Sequence, residues 1–339
     1  MENPALNIII EENIPYIAGL LEPYGNVRYL ANEDITPEAV KDADALIVRT
    51  RTRCDEALLG GSRCRFVATA TIGTDHIDLP WCAAQGIEVA NAPGCNAPAV
   101  AQYVMASILA LANRPVCQYT IGIVGVGHVG KIVERWARLL DMEVLICDPP
   151  RQAVEGGDGW SSLQDIAEKA DIITFHTPLD STTRHMADHG FFSSLRRHPI
   201  VINAARGPVV DTEALTEALE AGLVHHAVID CWEGEPHISP ALLARASIAT
   251  PHIAGYSSEG KVRATRMALD AFSRHFSLPR IEMSMPEPQG AAPEVTANAI
   301  RASYDPMADT AILRSRPDEF ELLRNTYHLR PEVRAGKID

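Results

Sequence analysis

"TIGIVGVGHVG", residues 120–130, decides the fold class. Its apolar opening, Ile121 to Val124, reads as a buried parallel strand. Gly125, Gly127 and Gly130 follow in G-x-G-x-x-G spacing, and "KIVERWARLL" (131–140) then has the pattern of a helix. Asp148 stands 18 residues after Gly130, at the end of the next apolar run, "EVLIC". A lone G-x-G-x-x-G is weak evidence, and a ligand-free glycine turn is the plain reading. Strand before, helix after and acid at the next strand end complete the dinucleotide fingerprint. In that frame Gly125 permits the tight turn and Gly127 lets a pyrophosphate approach the backbone. Gly130 lets the helix pack closely on the sheet. The helix N-terminus offers N–H groups to the anion. Asp148 is expected to bind the adenosine ribose and repel a 2′-phosphate, favouring NAD over NADP. Arg151, close by, argues weakly the other way.

Working outward, the same alternation continues. "SLQDIAEKA" and "TEALTEALEAG" read as helices, while "DIITFHTPL", "IVINAARG", "HHAVIDCWEGEP" and "ASIATPHIAGY" read as strands. From residue 120 this makes one doubly wound α/β unit. Upstream, "LNIIIEEN", "DADALIV" (42–48) and "CRFVATATIG" (64–73) read as strands, with a helical pattern at 14–24. They imply a second parallel sheet. Residues 97–114 form a long apolar helix that ends before Pro115. After about residue 277 the chain turns rich in proline and reads as a linker or extended arm. The last 40 residues show one helix, "DEFELLRNTYHL", and too few apolar residues to fold unsupported.

Composition sets limits on partners and location. The chain has 339 residues and a formal net charge of −14. That balance argues against nucleic acid or an anionic membrane as a general partner. The seven cysteines are irregularly spaced and include no C-x-x-C. They suit buried, reduced thiols in a cytoplasmic protein, with neither disulfide framework nor metal site. The opening "MENPALNIIIEEN" lacks a basic n-region and a long apolar run, so it does not read as a signal peptide. The apolar stretch 97–112 is interrupted by Gln102 and Ser107 and is too short to span a bilayer.

Arg206, Glu235 and His252 each follow an apolar strand of the second series, at the sheet edge where ligands bind. Oxidation of a secondary alcohol needs a base, for which histidine is suited. A carboxylate orients its ring, and an arginine grips a substrate carboxylate through two bonds. Taken singly, His252 is better explained as a core histidine, Arg206 as a helix-end ion pair and Glu235 as a surface charge.

Together, "GVGHVG", "INAARGPVVDTEAL", "DCWEGEP" and "ATPHIAGY" resemble, in order, the D-isomer-specific 2-hydroxyacid dehydrogenases over about residues 40–275. The resemblance implies that Arg206 binds the substrate carboxylate, that His252 is the acid–base and that Glu235 is its partner. It places Asp148, Thr177, Asp230 and Gly255 at NAD-contacting positions. It places Thr50, Thr71 and Tyr256 at substrate-contacting ones. It implies a Rossmann-type cofactor domain (97–258) inserted in a flavodoxin-like substrate domain (1–96, with 259–283 returning to it). A small C-terminal dimerisation region (284–339), a homodimer and a catalytic cleft closed by a hinge complete the expectation.

Further stretches, among them "FVATATIGTDHIDL", "ANAPGCNA", "TPHIAGYSSEGK" and the tail "SYDPMADTAILRSRPDEFELLRNTYHLRPE", resemble one branch of the family. Its substrate is a four-carbon 2-hydroxy acid with a phosphate on C4. Gln102 departs from the glutamate many members carry there. A phosphate needs a cation besides Arg206, and "VRTRTRC" (48–54) supplies three arginines at alternate positions. In a continuous strand Arg49, Arg51 and Arg53 share one face, turned away from Thr50. A turn near Arg49 lets Thr50 and an arginine converge. At least one of the three is expected to hold the phosphate, with Arg49 and Arg51 the better candidates. Three solvated arginines on a strand edge are the plain alternative. The other functional readings are a 3-phosphoglycerate dehydrogenase and an NAD-sensing corepressor-like binding protein.

Overall fold

The computed structural model describes residues 5–283 and 295–333. The chain forms two compact units. One takes residues up to Asn96 and the stretch from Ser258, and the other takes Ala97–Ser257 and the C-terminal tail.

The first unit is built on five parallel strands: β1 (Leu6–Glu11), β2 (Gly25–Leu30), β3 (Ala45–Val48), β4 (Phe66–Thr69) and β5 (Glu88–Ala90). Their order, β2-β1-β3-β4-β5, is that of flavodoxin-like sheets. Every residue of β3 and β4 is buried, because both faces of the sheet are covered. Ile8, Ile10, Ile47 and Phe66 pack on one face with Leu269 and Phe272 of the helix Ser258–His275. Ile9, Leu46, Val48 and Val67 pack on the other with Val40, Leu58 and Leu59. The alternation of strand side chains thus feeds two cores.

The helix expected at 14–24 does not form. Turns and a short 3-10 segment, Glu22–Tyr24, occupy the stretch. Pro15, Gly19 and Pro23 break the helical ladder, and Tyr16 sits at φ +64°. Ile14, Ile17 and Leu21 are buried all the same. The periodic pattern recorded burial, not helix.

The second unit carries β6 (Thr120–Val124), β7 (Glu143–Cys147), β8 (Ile172–Phe175), β9 (Ile200–Asn203), β10 (His226–Ile229) and β11 (Ile248–Ala249). All are parallel, in the order β11-β10-β9-β8-β6-β7. The chain reverses direction across the sheet between β6 and β8, which makes the switch point where such sheets bind ligands. A six-stranded dinucleotide fold places another strand outside β7. Here a single parallel bridge, Ile146 to Trp160, stands in its place, with Ser161 N donating to Ile146 O at 2.7 Å. Gly156, Gly157 and Gly159, all at positive φ, turn the chain too tightly for a longer strand.

Among its described residues the tail holds three α-helices rather than one: Ala297–Ser303, Pro306–Ser315 and Phe320–Asn325. Thr296 and Asp305 cap the first two. Their apolar faces are narrow, which hid them from a periodicity reading. Leu313, Phe320 and Leu323 join the core that contains Trp232, and Ile300 and Tyr304 join the one that contains Tyr103. The expected linker falls mostly at 284–294, outside the described residues. Six cysteines are buried, Cys117 is exposed, and all seven are free thiols. Among the described residues no helix is long and apolar enough to cross a membrane.

Candidate active site

The glycine turn lies between β6 and the helix His128–Leu139. Gly125 has φ +88°, and a Cβ there would lie 2.8 Å from the His176 carbonyl carbon. A Cβ on Gly130 would lie 2.1 Å from Gly125 O. A Cβ on Gly127 would meet nothing within 4 Å, and no side chain caps the helix it precedes. The turn is therefore closed on the protein side and open at the helix N-terminus, which fits a pyrophosphate. Asp148 sits at the end of β7. Its Oδ2 accepts from Val126 N at 2.8 Å and its Oδ1 from Arg151 N at 3.0 Å. Each oxygen keeps a second lone pair for a ribose hydroxyl. Arg151, the residue that argued for NADP, has its guanidinium engaged by Glu155 (2.6 Å) and by Val126 O (3.0 Å). Thr177 follows β8, with Oγ1 3.9 Å from Met186 Sδ.

Three neighbouring strands deliver the candidate acid–base group. β9 leads to Arg206, β10 to Asp230 and Glu235, and β11 to His252. His252 Nδ1 lies 2.8 Å from Glu235 Oε2, and Glu235 Oε1 accepts from Trp232 N at 2.7 Å. With Nδ1–H donated to the carboxylate, Nε2 is the ring nitrogen whose lone pair can take up a proton. Burial alone would lower the His252 pKa. The contacts with Cys231 and Glu235 outweigh it and hold the imidazole well above its ordinary value. Burial also pushes the Cys231 thiol up, so it meets the ring as a neutral group and Glu235 is the charge partner. Burial opposes the ionised form of Glu235 too. His252, the Trp232 N–H and the charge of Arg324 more than offset it and bring Glu235 below the usual carboxylate range.

Arg206 Nη1 donates to Ala205 O at 2.8 Å. The turn that carries it is tied by Asn203, whose amide donates to the carbonyls of Arg206 (3.0 Å) and Gly207 (3.2 Å). Asn203 is 1% exposed and was not among the residues singled out from the sequence. The available signal was a turn-forming residue at the end of an apolar strand. Gly207 lets this turn touch the next one, since a Cβ there would lie 2.0 Å from Trp232 O.

Asp230 is buried, and both its oxygens are engaged by the protein. Oδ1 accepts from Thr250 Oγ1 (2.7 Å) and Ile253 N (2.8 Å), and Oδ2 from Ala254 N (2.9 Å). It binds the loop of His252. Gly255 ends that loop, and the half-buried Tyr256 packs edge-on against Tyr327 of the tail, with centroids 6.2 Å apart.

The remaining candidates belong to the first unit. Thr71, after β4, shares a 2.6 Å hydrogen bond with Thr69. β3 stops at Val48, so the three arginines do not continue a strand. The buried Glu11 draws the chain into a turn by accepting from Arg49 N (2.8 Å) and Thr52 Oγ1 (3.2 Å). Thr50 and Arg51 are exposed, and Arg49 Nη1 reaches Asn13 O at 3.4 Å. Arg53 pairs with Asp55 at 2.6 Å with its side chain 83% exposed, which makes it a surface ion pair.

Residues 103–254 match the family model described as the D-isomer specific 2-hydroxyacid dehydrogenase, NAD binding domain. The erythronate-4-phosphate dehydrogenase of Bacteroides thetaiotaomicron is 48% identical over 98% of this chain and 99% of its own. That of Porphyromonas gingivalis is 40% identical over 98% and 95%. The fold matches the Aquifex aeolicus D-lactate dehydrogenase complexed with NAD and lactic acid, with TM-score 0.69 and 24% identity. That match covers 80% of this chain and 96% of the other. With near-complete mutual coverage by such relatives, the chain belongs to the erythronate-4-phosphate dehydrogenases, a branch of the D-isomer-specific 2-hydroxyacid dehydrogenases.

Proposed function

We infer that the protein oxidises 4-phospho-D-erythronate at C2 with NAD+, giving (R)-3-hydroxy-2-oxo-4-phosphooxybutanoate for vitamin B6 synthesis. The relatives' shared activity supports this, and the His252–Glu235 pair is the observation in the fold that carries it. Bound at the glycine turn by Gly125, Gly127, Gly130 and Asp148, NAD+ supplies the acceptor for the C2 hydrogen and its electron pair. Neutral His252 takes the hydroxyl proton at Nε2. Glu235 holds the ring through Nδ1 and stabilises the imidazolium that results. Arg206 grips the substrate carboxylate.

The raised His252 pKa fixes the sign of the pH dependence. Oxidation needs the neutral ring, so kcat/KM rises as pH climbs through that pKa. Removing the Glu235 charge lowers the pKa. The rising limb of Glu235→Gln is therefore expected at lower pH than in the parent, and overlaid profiles would show that Glu235 is not the partner.

NADH absorbance tests the substrate. Turnover of 4-phosphoerythronate well above that of 3-phosphoglycerate supports this reading. The reverse preference selects the serine-pathway reaction, and turnover of neither acid leaves the corepressor-like reading. For the phosphate we propose Arg49 and Arg51. Losing one such arginine should cost about 1.5–3 kcal/mol in kcat/KM. The loss should vanish with unphosphorylated erythronate. Equal losses on both acids, or none, would remove the arginines from the phosphate site. A cytoplasmic homodimer is proposed as well. The exposed Met307, Ile312 and Leu322 on the tail helices support the dimer, and light scattering tests it.

A further inference from the structure

The loop that carries His252 is held from two sides. Asp230 takes the N–H groups of Ile253 and Ala254, as described. On the other side is Arg330, from the last described stretch of the tail and only 5% exposed. Its Nη1 donates to Ile253 O at 3.0 Å. Its Nη2 donates to Ala254 O and, at 3.2 Å, to Ala99 O of the helix Ala97–Leu111. The same two residues thus give their donors to a buried carboxylate and their acceptors to a buried guanidinium. His252 itself sits at φ +56°, a conformation that the surrounding structure must enforce in a residue other than glycine.

Arg330 is in turn fixed. Its guanidinium lies over the Tyr304 ring at 4.3 Å. The hydroxyls of Tyr304 and Tyr327 both donate to Asp309 Oδ2, at 2.8 and 3.1 Å. Ser257 bridges Arg330 through the backbone, and Ser257 Oγ donates to Glu332 at 2.6 Å. Gln102, the departure noted in the sequence, donates to Ser303 Oγ (2.8 Å) and Pro331 O (3.1 Å). These contacts converge on Arg330, which holds the loop that carries His252.

We propose that Arg330 is a positioning residue for catalysis. Through the Ile253 and Ala254 carbonyls, opposite Asp230, it sets the backbone from which His252 meets Glu235. The tail therefore completes the acid–base site of its own chain, in addition to any part in assembly. This rests on His252 being the base.

The test compares Arg330→Met, Arg330→Lys and His252→Gln with the parent in the full-length protein. Lysine keeps the charge but cannot span three carbonyls with a fixed fork. Arg330→Met is expected to bind NADH normally and lose about 10- to 100-fold in kcat, the scale of a slightly misplaced group. Its pH limb should move to lower pH as the Glu235 contact loosens, and Arg330→Lys should fall between Met and parent. A folded Arg330→Met with kcat within about twofold of the parent, or with an unmoved pH limb, overturns the proposal. If Arg330→Met does not fold, Arg330→Lys decides. A displaced limb supports the clamp, and a parental kcat and limb overturn it. An active His252→Gln would overturn the base assignment, whereas an inactive one beside an unaffected Arg330 variant overturns the clamp alone.

Discussion

His252→Gln should bind NADH like the parent and turn over 4-phosphoerythronate about 100- to 10,000-fold more slowly, the usual worth of a placed acid–base. The size of the loss follows from the geometry. Glu235 Oε2 fixes Nδ1, so Nε2 is the one ring nitrogen left to take the proton. A glutamine can accept a hydrogen bond there but cannot hold a proton at any working pH. It also takes the imidazole away from the half-buried Glu235 carboxylate. The glycine turn lies elsewhere in the unit, beyond β6, so cofactor affinity should be spared. His252→Asn is the companion variant, because asparagine tolerates φ +56° better than most residues. Measured kcat for both variants, beside NADH titration, decides. A parental kcat in either would remove His252 from the chemistry.

Gly130→Ala should lose NADH binding and lower the melting temperature together. The added methyl would lie 2.1 Å from Gly125 O and 3.1 Å from Gly125 C. Both are backbone atoms in the turn, so no side chain can swing aside. Either the helix His128–Leu139 lifts from β6 or the turn opens. Overpacking of this kind costs about 1–3 kcal/mol. Gly127→Ala is the control. Its methyl would meet no protein atom within 4 Å. It should fold and melt like the parent and weaken NADH alone. If calorimetry finds NADH affinity unchanged in both variants, the dinucleotide does not sit on this turn.

Much of this was legible in the chain. The apolar runs of β3, β4, β6 and β8 are continuous because their sheets are covered on both faces, so they stand out without structure. The glycine fingerprint and the strand-end positions of Arg206, Glu235 and His252 followed from local pattern. What escaped was nonlocal. Residues 14–24 show helical spacing, but Pro15, Gly19 and Pro23 dictate turns. The alternating arginines read as strand because nothing nearby announces Glu11, whose carboxylate bends the chain from 38 residues away. Asn203 and Arg330 act through main-chain groups, and no motif marks which carbonyl a side chain will reach.

The first unit's broken sequence bears on how the protein is made. The sheet β1–β5 is finished by a helix that begins at Ser258, after the whole of Ala97–Ser257 has been added. At ribosomal rates of about 5–20 residues per second, those 161 residues take roughly 8–30 s. For that interval Phe66, Ile47 and Ile8 lack the cover that Leu269 and Phe272 later provide. The nascent chain thus carries an open apolar sheet face while the downstream unit is still being translated. Chaperone demand during synthesis should accordingly track this interval, and a circular permutant starting at Ser258 should shorten it.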